Sequence, residues 1–586
     1  MKQSQNGENL EHVRHSFAHV LAAAVKQLHP EVQLGIGPVI ENGFYYDFGN
    51  IQLSSEDLPK VEKAMRKIAE QKLAFKKELW SISEALEHFK KENQPYKLEL
   101  IEELEKTEKE VGMVWMGDVF LDLCRGGHIE STSELPLDAF KLTKVAGAYW
   151  RGDEKRPMLT RVYGIAFETA EELQEYLKRQ EEAEKRDHKK LGKALGLFVF
   201  SDLVGPGLPL FTPKGTWILN QIKEYSRELR AGMGYQLVQT PQVNKAELFK
   251  ISGHYDKYQD SMFRVRSNYT EEEYFLKPMN CPQHTQLYAS ESRSYRDLPV
   301  RFADFSLLYR DEKPGELGGL VRLRSFSQDD GHCFCAEDQI EDEFNRVLDA
   351  ISLAMKRYEM NYWIRLSLRN EDAKENYLGD DATWEKAQQT MRGLLQKRGV
   401  EFKEAPGEAA FYGPKMDLVA TDSIGREWQL STIQLDLNMP KRFGLVYAAA
   451  DGNKQSPVMI HSAIVGSPER FLGVLIEHYA GAFPLWLSPE QVWIVPVSDK
   501  FNEYAQQVAA QLQEKQFRVS LRGENETLGK KIRAGEKEKI PYLLVVGDKE
   551  AQANSVSARK RGEGDLGSMP VAQLLERLQS ELSPLA

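Results

Sequence analysis

Cysteine is scarce in this sequence, and long hydrophobic runs are missing. Four cysteines among 586 residues give no disulfide framework, so the chain fits a reducing compartment. No apolar run approaches the roughly 18 residues that span a bilayer. The first residues lack both the apolar core of a secretory signal and the Arg-rich, acid-poor character of a transit peptide. We therefore predict a soluble, cytoplasmic protein with no membrane partner.

An excess of positive charge is missing as well. The net charge of −11 does not indicate a nucleic-acid-binding protein. Phosphate contacts need only local clusters of Lys and Arg, however, so the total charge excludes no such partner. The sequence contains no internal repeat and no low-complexity tract, and a chain of 586 residues suggests three or four domains of about 150 residues each.

The first half of the chain divides at a charged segment. Residues 1–163 combine the apolar-periodic stretch HSFAHVLAAAVKQL with strand-like stretches, which predicts an α+β domain. Residues 164–193 form a linker that is charged nearly all round from 168 onward, the pattern of a solvated helix between two domains. Its basic end suits either RNA phosphates or, more ordinarily, a solvated face: Lys185, Arg186, Lys189, Lys190 and Lys193.

Two further domains follow. Within residues 194–486, RFADFSLLYR and RLRSFSQDDGHCFC are joined by the Gly-rich DEKPGELGGLV, which predicts an antiparallel hairpin with a mobile tip. Within residues 487–586, the apolar runs VWIVPV and YLLVVGD alternate with helix-like segments. This alternation predicts an α/β domain with a buried, partly parallel sheet.

Three distant residues form a candidate metal site: Cys281, His332 and His461. Thiolate and imidazole ligands suit zinc, and three protein ligands leave a fourth position open for a substrate. The residues share no local spacing motif, so on spacing alone a buried structural Cys and two buried His are the more ordinary interpretation.

Longer strings around these residues resemble threonyl-tRNA synthetase, a class II aminoacyl-tRNA synthetase. The strings include KPMNCPQH, SQDDGHCFC, VMIHSAIVGS, LLYRDE and GSPERF, and the resemblance runs from RHSFAHVLAAAVKQLHP to the C-terminal GDKE and ARKRG. It implies an N-terminal editing domain, an antiparallel-sheet catalytic core and an anticodon-binding domain. It also implies ATP-dependent attachment of L-threonine to tRNA(Thr) through a threonyl-adenylate, one catalytic Zn2+, Mg2+ with ATP, and a homodimer with Pro241 at the interface.

Arginine is the residue type that ATP chemistry predicts here. Joining a carboxylate to the α-phosphate develops negative charge, which guanidinium groups bind in a planar fork. The resemblance assigns Arg310 to the α-phosphate, Glu312 and Phe326 to adenine, and Arg470 to the γ-phosphate. Further catalytic or ATP-binding residues implied by the resemblance are Arg322, Gln328, Asp330, Lys415, Gln429 and Thr432.

Threonine must be separated from the nearly isosteric valine. An apolar pocket separates such a pair by only about a hundredfold. The resemblance implies that zinc binds the amino nitrogen and the hydroxyl of threonine together, and that Met279, Asp330 and Gln434 line the pocket. Ser431 stands where this family commonly has glycine. The other two thiols, Cys333 and Cys335, are predicted to be strand-core residues.

Serine, which also has an amine and a hydroxyl, makes a second site necessary. Serine lacks one methyl group of threonine, and that difference changes the binding free energy by only about 1–3 kcal/mol. His15 and His19 are four residues apart on one face of a predicted helix, and Cys124 and His128 have the same spacing. Both pairs match the editing domain, and the resemblance adds an aspartate and a lysine. The HxxxH and CxxxH pairs would also supply four zinc ligands, so metal-free hydrolysis, which the family favours, and a metal site both stay open. The six residues are His15, His19, Lys97, Asp122, Cys124 and His128.

The last domain is expected to read the anticodon, where unstacked bases meet side-chain hydrogen-bonding groups. The resemblance implies contacts from Asn525, Arg533, Glu550 and Arg559. Lys539 stands where an arginine is common, which removes a bidentate donor at that position.

Two other interpretations remain. One is a class II synthetase for another amino acid, which the complete Cys-His-His set argues against. The other is a synthetase paralogue that acts as a regulatory RNA-binding protein, which the intact ATP arginines argue against. The chain is expected to begin at the editing domain, without the small extra N-terminal domain that usually precedes it in bacterial members.

Overall fold

The computed structural model describes residues 2–582, with side chains from residue 9 onward. The outer ends of the first and last predicted domains lie outside these residues. Contacts divide the chain into two units, Met1–Glu181 and Glu182–Ala586. Among the described helices, none is long and apolar enough to cross a bilayer.

The first unit is an α+β domain, as predicted. The apolar face of its first helix is buried against an antiparallel sheet, where Phe17 stacks on Phe44 at 5.7 Å between ring centroids. A second, three-stranded sheet carries part of the candidate editing residues. The elements are α1 (Lys2–Leu28), β1 (Gln33–Leu34), β2 (Val39–Ile40), β3 (Gly43–Gly49), α2 (Leu58–Ala69), β4 (Phe75–Ser81), α3 (Ile82–Lys91), α4 (Pro95–Leu104), β5 (Glu110–Met116), β6 (Phe120–Leu123), β7 (Phe140–Tyr149) and β8 (Met158–Ala166).

The prediction of one solvated helix over residues 168–193 is wrong. The chain forms two helices, α5 (Ala170–Arg186) and α6 (His188–Ala194). Asp187 separates them because its carboxylate accepts the backbone N–H of Lys189 at 2.7 Å, which starts a new helix at a capped end. His188 is buried, so α6 packs on the second unit instead of facing solvent on all sides.

The second unit is built on an eight-stranded sheet in the order β11-β15-β18-β25-β22-β21-β19-β20. Its inner pairings are antiparallel, and only the two edge pairings are parallel. The elements are β9 (Phe198–Val199), β10 (Leu210–Phe211), α7 (Pro213–Gly232), β11 (Gln236–Leu237), β12 (Val243–Lys245), α8 (Ala246–Ser252), α9 (His254–Tyr258), β13 (Arg264–Val265), β14 (Tyr274–Leu276), α10 (Cys281–Ala289), β15 (Val300–Asp304), β16 (Leu307–Tyr309), β17 (Ser325–Ser327), β18 (Asp330–Cys335), α11 (Ile340–Arg357), β19 (Asn361–Leu368), α12 (Asp381–Arg398), β20 (Phe402–Pro406), β21 (Lys415–Thr421), β22 (Glu427–Asp436), α13 (Met439–Arg442), β23 (Tyr447–Ala448), β24 (Lys454–Gln455), β25 (Val458–Ala463) and α14 (Pro468–His478).

The predicted antiparallel hairpin is present in two parts. Strands β15 and β18 pair within the large sheet, and β16 and β17 continue the same hairpin outward. Two buried aspartates stand where the pairing is interrupted. Asp304 accepts the N–H of Ser306 at 2.8 Å, and Asp329 accepts the N–H groups of Ile464 and Val465. These carboxylates satisfy backbone donors that the strands leave unpaired.

The C-terminal part of the second unit has a partly parallel, buried sheet, as predicted. Strands β27, β26 and β28 are parallel, and β29 and β30 extend the sheet in antiparallel fashion. The elements are β26 (Val492–Pro496), α15 (Asn502–Glu514), β27 (Val519–Leu521), α16 (Leu528–Lys537), β28 (Tyr542–Val546), α17 (Asp548–Ala553), β29 (Ser555–Lys560), β30 (Gly564–Pro570) and α18 (Val571–Leu582).

A buried arginine joins α7 to the middle of the large sheet. Arg230 is fully buried and donates to the hydroxyl of Ser462 at 2.6 Å and to the carbonyl of Asp329 at 2.9 Å. Gly331 leaves the space that the guanidinium occupies, because a Cβ at this residue would lie 2.1 Å from the Nη1 of Arg230. The arginine therefore fixes β18 and β25 to the same helix.

Replacing Gly331 by alanine is expected to destabilise the second unit by about 1–3 kcal/mol, because a methyl group would displace a buried guanidinium whose two terminal nitrogens are hydrogen-bonded. A lower thermal midpoint would report the loss. Gly232→Ala is the matched control, since its Cβ would meet open space near the end of α7 and alanine favours helix. Equal midpoints for the two variants would contradict the role of Arg230.

Candidate active site

The side chains of four neighbouring strands form two rows on one face of the large sheet. Residues that pair across the strands lie side by side, and residues two apart on one strand point to the same face. The first row is Asp330, Ala463, Thr432 and Asp417, and the second is His332, His461, Gln434 and Lys415. Six residues of the predicted site are therefore brought together by strand pairing alone.

The candidate metal ligands meet at the second row. His332 and His461 are direct cross-strand neighbours, and Cys281 reaches them from the first position of α10. The ligand atoms of the three residues all lie within 4.8 Å of one another, and all three side chains are buried. The Nε2 of His332 lies 3.0 Å from the Nδ1 of His461. The structure thus gathers the predicted ligand set around one point.

Buried polar groups contact the ring nitrogens of His332 and His461 that do not face each other. The Nε2 of His461 lies 3.1 Å from a carboxylate oxygen of Asp436, and the Nδ1 of His332 lies 2.8 Å from the Nδ1 of His284. Partners of this kind orient metal-binding histidines. Asp436 and His284 were not selected from the sequence, although QLSTIQLD places Asp436 at the two-residue spacing after Gln434.

The protonation states fit a soft divalent cation. Burial lowers the pKa of His332 well below its ordinary value, so its ring is neutral and able to bind a metal. Burial raises the pKa of Cys281 well above its ordinary value. A thiolate at this position therefore needs a neighbouring cation, and one thiolate with two imidazole ligands is a set that zinc accepts.

Beside these rows lies a cleft of about 670 Å³. The walls come from the outer hairpin, strand β22 and the first turn of α14. Eight of the predicted residues line it: Arg310, Glu312, Arg322, Phe326, Gln328, Gln429, Thr432 and Arg470. The structure therefore brings both predicted phosphate arginines to one space.

Arg310 and Arg470 have different contacts in the cleft. The guanidinium of Arg310 lies 5.2 Å from the ring centroid of Phe326, and burial lowers the pKa of Arg310. Arg470 donates to the carbonyl of Gln429 at 2.8 Å, and its backbone N–H is capped by the hydroxyl of Ser467. Burial likewise lowers the pKa of Arg470. Two partly desolvated guanidinium groups in one cleft suit an anionic ligand such as a polyphosphate.

Glu312, predicted to meet adenine, has a protein partner in this structure. Its carboxylate lies 2.8 Å from the guanidinium of Arg322, which also reaches Glu316 at 2.9 Å. Arg322 is therefore in the cleft as predicted, but as part of an ion-pair cluster on the loop between β16 and β17.

Lys415 belongs to a network that the sequence did not reveal. Its Nζ lies 2.7 Å from the buried carboxylate of Asp417, which also accepts from Gln429 at 2.8 Å and lies 3.2 Å from Arg365. Asp417 stands two residues after Lys415 on one strand, so the period of two was the available signal. Arg365 comes from another strand and carried no local signal.

The candidate amino-acid pocket has an aromatic wall. Tyr412 stacks on His461 at 4.7 Å between ring centroids and donates its hydroxyl to Gln434 at 2.6 Å. The sulfur of Met279 lies 3.0 Å from the Nε2 of His254, which lies 3.6 Å from the sulfur of Cys281. Met279 is therefore close to the metal ligands, while Tyr412 and His254 are site residues that the sequence analysis missed.

The remaining predicted residues of this unit lie around the site. Ser431 is buried and donates its hydroxyl to the carbonyl of Ile464. Cys333 and Cys335 are fully buried in β18. Pro241 is exposed between the edge strand β11 and β12.

The first unit holds a second cluster. His15 and His19 lie one turn apart on α1, and Cys124 and His128 come from the segment after β6. The sulfur of Cys124 lies 3.5 Å from the Nε2 of His15 and 3.4 Å from the Nε2 of His128. The four ligand atoms lie within 4.8 Å of one another. Both predicted pairs therefore converge.

An ion pair supports this cluster. Lys97 and Asp122 are both buried and lie 2.5 Å apart, and the hydroxyl of Tyr46 donates to Asp122 and accepts from Lys97 at 3.1 Å. Tyr46 was missed, although Phe44, Tyr46 and Phe48 alternate along β3 toward the core.

The groups of this cluster are uncharged near neutral pH. Burial lowers the pKa of His128 to about 2 and also lowers the pKa of His15 and of His19. Burial raises the pKa of Cys124. Neutral imidazoles serve either as general bases or as metal ligands, so the geometry is compatible with both chemistries named for this set.

The predicted anticodon residues are not gathered in one place. Asn525 follows β27 and Glu550 follows β28, so both lie at the carboxyl edge of the parallel strands. Arg559 pairs with Leu543 near the other end of β28 and lies 3.7 Å from Asp565, and Arg533 is exposed on α16. Glu550 caps its own helix by accepting the N–H of residue 547 at 3.0 Å. Among the described residues, no hydrogen bond or salt bridge joins the four side chains.

Three protein families match parts of the chain. Residues 263–479 match the tRNA synthetase class II core domain (G, H, P, S and T). Residues 491–581 match an anticodon binding domain. Residues 111–163 match the threonyl and alanyl tRNA synthetase second additional domain. With the antiparallel sheet and its arginine-lined cleft, these matches define a class II aminoacyl-tRNA synthetase.

Similarity to individual proteins is more specific. A threonine–tRNA ligase of Gloeobacter violaceus is 49% identical over 585 residues, 98% of this chain and 93% of that protein. One from Synechocystis sp. is 47% identical over 590 residues, 100% of this chain and 97% of that protein. A crystal structure described as the RNA binding domain of threonyl-tRNA synthetase from Cryptosporidium parvum is 37% identical, with a TM-score of 0.64 over 67% of this chain and 98% of that chain. The chain belongs to the threonine–tRNA ligase family.

The family assignment defines the activity. The protein is a class II enzyme that ligates threonine to tRNA, and its N-terminal unit carries an editing domain of the threonyl and alanyl type. The family implies that the enzyme binds tRNA, ATP and threonine.

The low pKa of His128 predicts a stability that depends on pH. The unfolded ring has a pKa near 6.5 and the folded ring about 2, so protonation favours the unfolded state. The contribution of the neutral ring to the free energy of unfolding is complete above about pH 6.5 and is lost at about 1.4 kcal/mol per pH unit below it. Hydrogen exchange of α1 amides at pH 7.5 and 5.5 should show this loss, and His128→Gln should reduce it. An unchanged slope in that variant, or a reduced slope in the control His29→Gln, would contradict the assignment.

Proposed function

We propose that this enzyme joins L-threonine to ATP as a threonyl-adenylate, transfers the threonyl group to tRNA(Thr), and hydrolyses Ser-tRNA(Thr) in its N-terminal unit. One observation carries the proposal for the catalytic unit. The two rows of side chains put a zinc-type ligand set and an arginine-lined cleft side by side on one face of a sheet. An amino acid bound at the ligand set would present its carboxylate toward the cleft.

The cleft supplies the charge that adenylate formation needs. Negative charge develops on the α-phosphate, and fixed guanidinium groups stabilise it without reorganisation. Arg310 is proposed to bind the α-phosphate and Arg470 the γ-phosphate, with Phe326 as the stacking surface for adenine and Mg2+ bound with ATP. Lys415 reaches the same face beside Gln434, where its ammonium group favours an anionic ligand.

Threonine recognition is proposed to combine the metal ligands with the aromatic wall. Cys281, His332 and His461 would hold a zinc ion by three ligands, and expansion to five ligands would let it take both the amine and the hydroxyl of the substrate. Gln434, held by Tyr412, lies next to His461 and supplies polar atoms at the same place. A site that requires a hydroxyl partner leaves buried groups unpaired when valine binds, which rejects valine far more strongly than an apolar pocket does.

Editing is proposed to use the second cluster without metal. Tyr46, Lys97 and Asp122 form a buried hydrogen-bonded group beside Cys124. This rigid support suits a site that positions a water molecule and the end of the tRNA. The neutral imidazole of His15 or His19 would then accept the proton of the attacking water.

We also propose that two copies associate through the region of Pro241. Strand β11 is an edge strand, and Leu237 and Val243 on either side of Pro241 are exposed. Exposed apolar residues on a free strand edge favour pairing with another surface. Asn525, Arg533, Glu550 and Arg559 remain candidates for anticodon contact.

Removal of one thiol tests the metal proposal. Cys281→Ser should lower the zinc content from about one ion per chain, the stoichiometry of a three-ligand site, and should abolish threonine-dependent ATP–pyrophosphate exchange. The matched control is Cys333→Ala, a buried thiol outside the ligand set, which should keep the metal. Full zinc content in Cys281→Ser, with the thermal midpoint unchanged, would sink the proposal.

Replacement of the two helix histidines tests the editing proposal. His15→Ala/His19→Ala should slow hydrolysis of Ser-tRNA(Thr) by about a hundredfold or more, the contribution of positioned acid–base groups, while threonine activation stays at the wild-type rate. His12→Ala is the control, because His12 is exposed on the same helix. Wild-type editing by the double variant would refute the assignment, and loss of wild-type editing on adding a chelator would favour the metal alternative.

A further inference from the structure

A histidine outside both sites bridges two segments of the ATP cleft. Asp187, His188 and Glu477 are close enough to resemble a metal-binding group. Both ring nitrogens of His188 are already in use, however. Its Nδ1 lies 2.6 Å from a carboxylate oxygen of Glu477, and its Nε2 accepts the backbone N–H of Leu320 at 2.9 Å. The group is therefore a hydrogen-bonded bridge and not a cation site.

The donors around the ring determine its tautomer. A backbone N–H only donates, so the Nε2 of His188 carries the lone pair and the proton sits on Nδ1. That proton is donated to Glu477, which also accepts the backbone N–H of His188 at 3.0 Å. The other carboxylate oxygen of Glu477 lies 2.6 Å from the guanidinium of Arg426. Every polar atom of the imidazole is thus committed within the protein.

The two partners belong to elements that form different walls of the cleft. Leu320 lines the cleft from the returning arm of the loop between β16 and β17, which also carries Glu312 and Arg322. Glu477 lies near the end of α14, the helix whose first turn carries Arg470. His188 therefore connects the loop to the helix, and both elements contribute an arginine to the cleft.

Two glycines allow the close packing at the bridge. A Cβ at Gly319 would lie 2.2 Å from the Nε2 of His188, and the backbone there has a φ of +62°. A Cβ at Gly473 on α14 would lie 3.2 Å from the Cβ of Leu320. At Gly319 the loop thus approaches the histidine more closely than a residue with a side chain permits, and at Gly473 its contact with the helix is tight.

We propose that His188 is a positioning residue for ATP. By accepting the N–H of Leu320 while anchored to Glu477, it holds the returning arm of the loop against α14. This contact sets the separation between Arg322 and Arg470 across the cleft. The inference rests on the proposed ATP site.

Three replacements separate the two hydrogen bonds of the ring. The amide of His188→Asn reaches the Nδ1 position and can donate to Glu477, whereas the amide of His188→Gln reaches the Nε2 position and can accept from Leu320. In ATP–pyrophosphate exchange, His188→Ala and His188→Asn should raise the KM for ATP by about tenfold, the effect of one lost buried hydrogen bond. The KM for threonine should change by less than about twofold. His188→Gln should stay within about threefold of the wild type.

Lys190→Ala is the matched control, because Lys190 is exposed on the same helix; it should leave the KM for ATP unchanged. If the three His188 variants lower the thermal midpoint and leave the KM for ATP unchanged, the residue is only structural and the proposal is overturned. An equal rise in KM for all three would overturn it as well, because the bond to Leu320 would not be the cause. If His188→Ala does not fold, the KM for ATP of His188→Asn compared with that of His188→Gln tests the proposal.

Arg310→Ala separates this inference from the site on which it rests. This variant should lower exchange by about a hundredfold or more, as expected on losing a donor to the developing charge. A normal Arg310 effect combined with unaffected His188 variants would overturn only the role of His188. An Arg310→Ala enzyme with near wild-type exchange would instead contradict the ATP site itself.

Discussion

The antiparallel pairing of β18, β25, β22 and β21 is the constraint on which the catalytic unit depends. A shift of one residue in any pairing would turn every side chain of that strand to the opposite face. Arg230 opposes such a shift, because it bonds to β25 through Ser462 and to the start of β18 through Asp329. Asp329 in turn accepts two backbone N–H groups beyond the end of β25. A fully buried network therefore fixes the alignment that places the site residues in rows.

Buried polar groups determine the character of each site. In the catalytic unit, a raised pKa at Cys281 and a lowered one at His332 leave a ligand set that gains from a cation. In the N-terminal unit, burial keeps His128 and its neighbours neutral, while the Lys97–Asp122 pair carries the charge. Burial shifts the pKa values of cysteine and histidine in the same direction at both sites, so the sites differ in their charged neighbours: Asp436 beside His461 in one, and the Lys97–Asp122 pair in the other.

The physics of small substrates explains why one chain would need both sites. A hydroxyl-specific site rejects valine, but it accepts serine, which differs from threonine by one methyl group. The achievable discrimination for one methyl is about 10- to 200-fold. A second site that acts on the product can discriminate again. The match of residues 111–163 to the threonyl and alanyl second additional domain fits this requirement.

The resemblance named most of the residues around the candidate site, but the sequence did not reveal several of the contacts that residues distant along the chain make there. The fold class and the family were predicted correctly, because long strings resemble one family over nearly the whole chain. Arg365 was missed because it reaches Asp417 from another strand. His284 lies within KPMNCPQH, but it and Tyr412 were missed because their partners, His332 and His461, are distant in sequence. The break at Asp187 was missed because helix-forming residues on both sides hid a single capping carboxylate. Contacts of the anticodon domain stay predictions.

The central claim is that a hydroxyl-requiring site and an ATP cleft act together on one sheet face. ATP–pyrophosphate exchange by the purified wild-type enzyme, measured separately with threonine, serine and valine at equal concentration, tests it most directly. The account predicts rapid exchange with threonine, weaker exchange with serine and almost none with valine. Exchange with valine that approaches the rate with threonine would contradict it, because the site would then be selecting size and not the hydroxyl group.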